Sequence, residues 1–153
     1  MFAISNEPDM GNGSKIAYVN NSGDTIIPFG KYGYFGTDTL VHFANVLKNT
    51  DDNNYSRPMA ISRDQKELFD LELYDNYLQP FHEGLIAVSR NGKMGYANKY
   101  GQIVIPCTYD YAGWFENGRA NVTFNAVEYL DGDDHLKVDS DEWFEKERIV
   151  EQG

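Results

Sequence analysis

The sequence predicts an all-β protein, built from tandem antiparallel three-stranded meanders stacked as an open repeat array or as a partly curled sheet. Three observations point there. Short apolar stretches are bounded by turn residues; an Asn-Gly pair separates two of them; and the whole order recurs along the chain. The composition agrees, because 11 Tyr and 9 Phe in 153 residues favour pleated, half-buried surfaces on which aromatic rings pack.

The clearest copy runs from Phe81 to Pro106. Phe81-His82-Glu83-Gly84 leads into Leu85-Ile86-Ala87-Val88-Ser89, and Asn91-Gly92 then separates that stretch from Lys93-Met94-Gly95-Tyr96-Ala97-Asn98. Asn-Gly between apolar runs is the strongest local hairpin signal, since a type I′ turn needs positive φ at both central positions. Lys99-Tyr100-Gly101 makes the next turn, Gln102-Ile103-Val104-Ile105 the third strand, and Pro106 ends it by withholding a ladder donor.

Upstream, Phe2-Ala3-Ile4-Ser5, Asn12-Gly13, Lys15-Ile16-Ala17-Tyr18-Val19-Asn20, Gly23 and Asp24-Thr25-Ile26-Ile27-Pro28 repeat that order. A second copy takes Val46-Leu47, Pro58-Met59-Ala60-Ile61-Ser62 and Glu67-Leu68-Phe69, with the polar insert Asn49-Thr50-Asp51-Asp52-Asn53-Asn54 after its first strand. A fourth begins at Phe115-Glu116-Asn117-Gly118-Arg119-Ala120-Asn121-Val122 and then diverges. Its last stretch, Trp143 to Val150, reads as a strand or as a short helix capped by Asp139 with Glu142 three residues on, and the repeat favours the strand.

These copies predict at least eight strands, three each around Tyr18, Ala60 and Tyr96. Val88, Tyr96, Val104 and Phe115 are the expected core, since each occupies a repeated apolar position. The length fits one domain, with copies at 1–42, 43–80 and 81–114 and a divergent acidic partial copy at 115–153.

Phe81-His82-Glu83-Gly84, Gly92-Lys93-Met94-Gly95-Tyr96, Ile103-Val104-Ile105-Pro106 and Tyr109-Asp110 together resemble the WG-repeat family, also called KWG repeats, found in many bacterial proteins. The likeness is closest over residues 81–122 and reaches 15–28 in the first copy. The Trp of the family name is Met94 here and Ile16 in the first copy, where Ala17 also replaces Gly. The resemblance implies a scaffold or recognition surface and brings no catalytic residues with it.

Charge narrows the partners. The formal net charge is -11, which opposes nucleic acid. From Glu128 to Gly153 there are ten acidic and three basic residues, so the acidity belongs mainly to the C-terminal end. No apolar run approaches a membrane span, which argues against membrane insertion, and the N-terminus lacks the basic and apolar regions of an export signal; a cytoplasmic location is expected unless a leader has been removed.

No catalytic, cofactor or metal site is expected. His42, His82 and His135 have no ligand spacing, Asp131, Asp133 and Asp134 lack the EF-hand order, and Cys107, the only cysteine, follows a strand end without a visible base. Glu83 and Glu116 fall at the same turn of successive copies, which repetition explains better than acid and base chemistry does.

Aromatics concentrate in the segments between meanders: Tyr32, Tyr34, Phe35, Tyr74, Tyr77, Tyr109, Tyr111, Trp114 and Phe115. They read as the core between units or as an aromatic row that binds an extended peptide or a glycan. The expected function is therefore a non-catalytic scaffold or binding module for a protein, peptide or glycan, with Tyr109, Tyr111 and Trp114 as candidate contacts. The alternative is an acidic inhibitor or immunity-type protein that covers a basic partner site through Asp131, Asp133, Asp134 and Asp139. Charge-driven inhibition would be strongly salt-dependent, whereas an aromatic groove would be salt-insensitive.

Overall fold

A computed structural model describes residues 1–51, 54–74, 77–131, 135–139 and 144–147. Every helix or strand among them is a strand, and every paired strand is antiparallel. The chain divides into two compact units, Met1–Leu71 and Glu72–Gly153.

The first unit holds β1 (Phe2–Ile4), β2 (Lys15–Val19), β3 (Thr25–Tyr34), β4 (Phe43–Asp51), β5 (Asn54–Ser62) and β6 (Glu67–Leu71), hydrogen-bonded in that order. Its two meanders join edge to edge, because the tail of β3 pairs with β4. The polar insert is mostly strand, since β4 runs on to Asp51 and β5 starts at Asn54.

The second unit starts with the hairpin of β7 (Leu73–Tyr74) and β8 (Tyr77–Leu78). The meander of β9 (Leu85–Arg90), β10 (Lys93–Asn98) and β11 (Ile103–Tyr109) follows. Then come β12 (Tyr111–Ala112), β13 (Arg119–Thr123), β14 (Val127–Asp131), β15 (His135–Asp139) and β16 (Phe144–Glu147). The C-terminal stretch is thus strand where it is described.

Turn chemistry sets these breaks. Asn91 and Gly92 have φ of 54° and 79°, the two positive values that a type I′ hairpin demands. The second turn of each meander is built the same way in the first and third copies. Asn98 Oδ1 accepts the N–H groups of Tyr100 (2.9 Å) and Gln102 (3.1 Å), and Asn20 Oδ1 accepts those of Ser22 (3.0 Å) and Asp24 (2.9 Å). In the second copy Ser62 takes the part, with its Oγ accepting from Lys66 N–H at 3.0 Å.

Cross-strand partners fix how the copies correspond. Ala3 faces Tyr18, Ala87 faces Tyr96, and Ala44 faces Ile61. The central residue of the second copy is therefore Ile61, one position beyond the expected Ala60. That register places Ala17, Ala60 and Gly95 in one equivalent position, and in each copy the third strand bulges opposite it. One residue of the middle strand faces residues 28–31 in the first copy, 68–69 in the second and 106–108 in the third. A small residue is required because the bulged backbone crosses directly over it. A Cβ built on Gly95 would lie 2.4 Å from Ile105 O and 2.7 Å from Cys107 N.

The third strand of the third copy, β11, corrects two expectations. Pro106 does not end the third strand: β11 continues to Tyr109, and the proline sits in the bulge, where no ladder donor is needed. Val104 is 39% exposed: it is the extra residue of a second register shift, since Tyr96 faces Ile105 and Ala97 faces Ile103, and alternation along β11 turns Ile105, at 5%, and Tyr109 inward instead. Val88, Tyr96 and Phe115 are buried as expected.

Copies also join by one rule. Tyr34 pairs with Val46 and Tyr111 with Thr123, the tail of a third strand meeting the first strand of the next copy. Here β13 is the first strand of the fourth copy, and β16 pairs with it where a middle strand belongs. The β14–β15 hairpin is inserted between them. Val122 faces Phe144, so the register position filled by Ala or Gly in the other three copies holds Phe144 in the fourth.

Candidate functional site

Two turns in the second unit share one geometry. His82 and Leu85 exchange backbone hydrogen bonds at 2.8 and 3.0 Å, and Glu116 and Arg119 do so at 2.8 and 3.1 Å. Glu83 and Asn117 have φ of 53° and 54°, the left-handed region, with a glycine following each.

The turns are fastened to one another. Both carboxylate oxygens of Glu83 accept the Gly118 N–H, at 3.0 and 3.1 Å. The His82 imidazole stacks on the Trp114 indole with centroids 4.8 Å apart and planes 28° apart. His82 Nε2 is out of solvent and has no hydrogen-bond partner, so stacking rather than hydrogen bonding at that nitrogen accounts for its place.

Exposure alternates around this contact. Trp114 and Glu116 face solvent while Phe115 between them is buried, and Phe81 and Glu83 are exposed on either side of half-buried His82. The outer surface is therefore aromatic and acidic, with Trp114 and Phe81 each 39% exposed. Beneath it, Phe115 meets Tyr96 edge-on at 4.8 Å, and the Tyr96 hydroxyl donates to Gly113 O at 2.6 Å. The first unit repeats that anchor, with the Tyr18 hydroxyl donating to Thr37 O at 2.8 Å. Burial pushes both phenols well above their ordinary value.

The other expected contact residues are placed differently. Tyr109 is buried in the core, with its ring 5.1 Å from that of Phe124, and Tyr111 is half-buried against the same core. Asp131 pairs with His135 and Asp139 with Val127, so the two acids lie at opposite ends of the β14–β15 hairpin. Asp133 and Asp134 lie outside the described residues. His82 and Glu83 were legible only as turn residues; the matching turn at 115–118 was the available signal for their pairing.

A second contact escaped sequence reasoning. Lys93 and Asp110, from the Gly-Lys and Tyr-Asp pieces of the repeat, form an ion pair, and Asp110 Oδ2 also accepts Ala126 N–H at 3.2 Å. The Lys93 hydrogen bond, then that of Ala126, holds the Asp110 carboxyl below its ordinary value of 3.8. A depressed folded value means that the contribution is present above 3.8 and is lost as pH falls through the folded value. Asp110→Asn should therefore flatten the acid limb of a plot of Tm against pH, and equal acid sensitivity in the variant would remove this pair as a contributor.

Burial pushes the Cys107 thiol up, outweighing the lowering by Arg90, which disfavours the thiolate a nucleophile needs. Among the described residues no group of three His, Cys, Asp or Glu could hold a metal ion, and no helix is long and apolar enough to cross a membrane.

The family model of the WG containing repeat matches residues 60–93 and 94–126. Its frame opens on the middle strand rather than on the first, and the second match spans the bulge over Gly95, the Trp114 contact and the turn at 115–118. No curated protein and no solved structure matches the chain.

Proposed function

The chain carries two tandem WG repeats over residues 60–126, and from that premise we propose that it is a non-catalytic binding module whose contact surface is centred on Trp114. One observation carries this reading. Trp114 is 39% exposed, yet its ring is held by His82 and its backbone by buried Phe115 next to it. A large aromatic ring kept at the surface in a fixed orientation loses little freedom when a partner lands on it.

The acidic C-terminal segment supports a second reading, a charge-driven inhibitor. Affinity capture from the native lysate separates the two. Trp114→Ala should lose a partner that the parent retains, while Asn at Asp131, Asp133, Asp134 and Asp139 together should keep it. The reverse pattern would move the contact surface to the acidic segment.

A further inference from the structure

We propose that the Trp114 surface receives the cationic side chain, lysine or arginine, of a basic extended peptide. The inference rests on the binding-module reading above and adds the class of ligand. The face of an indole carries negative quadrupole density and attracts a cation placed over it. Two carboxylates belong to the same pair of turns: Glu83 follows His82, which stacks on the ring, and Glu116 follows Trp114 by two residues. Glu83 is fixed by its two contacts to Gly118 N–H, which leave lone pairs and the full charge available to a donor. Glu116 lies on the other side of buried Phe115 from Trp114 and shares its exposure.

The surroundings favour the same sign. Arg119 is the one basic side chain of the two turns and already has a partner of its own, and the chain as a whole carries -11. A phosphorylated or acidic ligand would meet repulsion from both glutamates. A cation on an alkyl stem gains from both features, since its head is attracted by ring and carboxylates while its methylenes can lie along apolar surface such as the exposed rings of this region.

The test is a fluorescence titration in a Trp143→Phe background, where Trp114 is the remaining tryptophan. The probes are an oligolysine peptide, its fully Nε-acetylated form and a neutral oligosaccharide. Oligolysine should quench Trp114 saturably, the acetylated peptide and the sugar should not, and Glu116→Gln should weaken binding several-fold. By calorimetry, Trp114→Ala and Trp114→Leu should each lose about tenfold in affinity for oligolysine with net charge unchanged. Thermal melts confirm that both variants fold, and Leu retains the apolar bulk if Ala does not. Undiminished oligolysine binding by both Trp114 variants would reduce the effect to diffuse charge and overturn the proposal. Equal binding of the acetylated peptide or preferential binding of the sugar would also overturn it. If oligolysine fails to bind while Trp114→Ala still abolishes partner capture, the cation inference falls and the binding module stands.

Discussion

Gly95→Ala should be among the most destabilising single substitutions in the chain, although it adds one carbon. Its Cβ would fall 2.4 Å from Ile105 O and 2.7 Å from both Cys107 N and Pro106 C. All three are backbone atoms of the bulge in β11, so no side-chain rotation relieves the clash. Overpacking costs ~1–3 kcal/mol where side chains adjust, and a clash against backbone belongs at or beyond the upper end. For a chain of this size ~3 kcal/mol corresponds to a fall in Tm of about 6–12 °C.

Gly11→Ala is the matched control, since a Cβ there meets nothing within 4 Å, and it should melt within ~0.5 kcal/mol of the parent. Circular dichroism melts of both variants decide the matter. A Gly95→Ala protein as stable as the Gly11→Ala protein would show that the bulge moves aside freely. Alanine stands at the equivalent position only opposite bulges of other lengths, Ala17 facing residues 28–31 and Ala60 facing 68–69, against 106–108 opposite Gly95.

Much of this arrangement was legible because turn chemistry is local. Asn91-Gly92 and Asn98 to Gly101 state their geometry in a few residues, and the strands between them follow. Register was harder to read. In the second copy the bulge has neither the glycine nor the proline of the third, and Ala60 and Ile61 are both fully buried, so apolar patterning could not choose between them. The pairing of Ala44 with Ile61 decides it.

Val104 was misread for a related reason. A second register shift, between Tyr96 facing Ile105 and Ala97 facing Ile103, leaves Val104 as the extra residue on the outward side of β11, and the apolar run Ile103-Val104-Ile105 does not announce which of its members is displaced. The site was legible as residue types but not as an arrangement. Trp114 stood out as an aromatic between meanders, yet nothing in its neighbourhood announces that His82, far upstream, lies against its ring. Contacts between copies belong to the repeat's three-dimensional step, whereas single-copy motifs report only what happens within a strand or a turn.

Phe115→Ala should destabilise the protein by ~3–5 kcal/mol, the usual cost of emptying a buried aromatic site. The ring is 2% exposed and meets Tyr96, itself 0% exposed, edge-on at 4.8 Å. Truncation therefore opens a cavity beside a buried phenol whose hydroxyl is tied to Gly113 O, two residues before Phe115 itself. Such a loss is a large share of the ~5–15 kcal/mol that holds a typical domain. The effect should reach function too, because Phe115 anchors the backbone that carries Trp114 and Glu116 outward. Phe115→Leu is the informative companion. Leu40 fills a comparable place in the first unit, fully buried three residues after the Thr37 carbonyl that accepts from Tyr18, so an aliphatic side chain is compatible with this anchor. The Leu variant should recover most of the stability, leaving a deficit of ~1.5 kcal/mol or less. Urea unfolding of the three proteins measures both differences, and an Ala variant unfolding at the parent's midpoint would mean that this ring does not hold the turn in place.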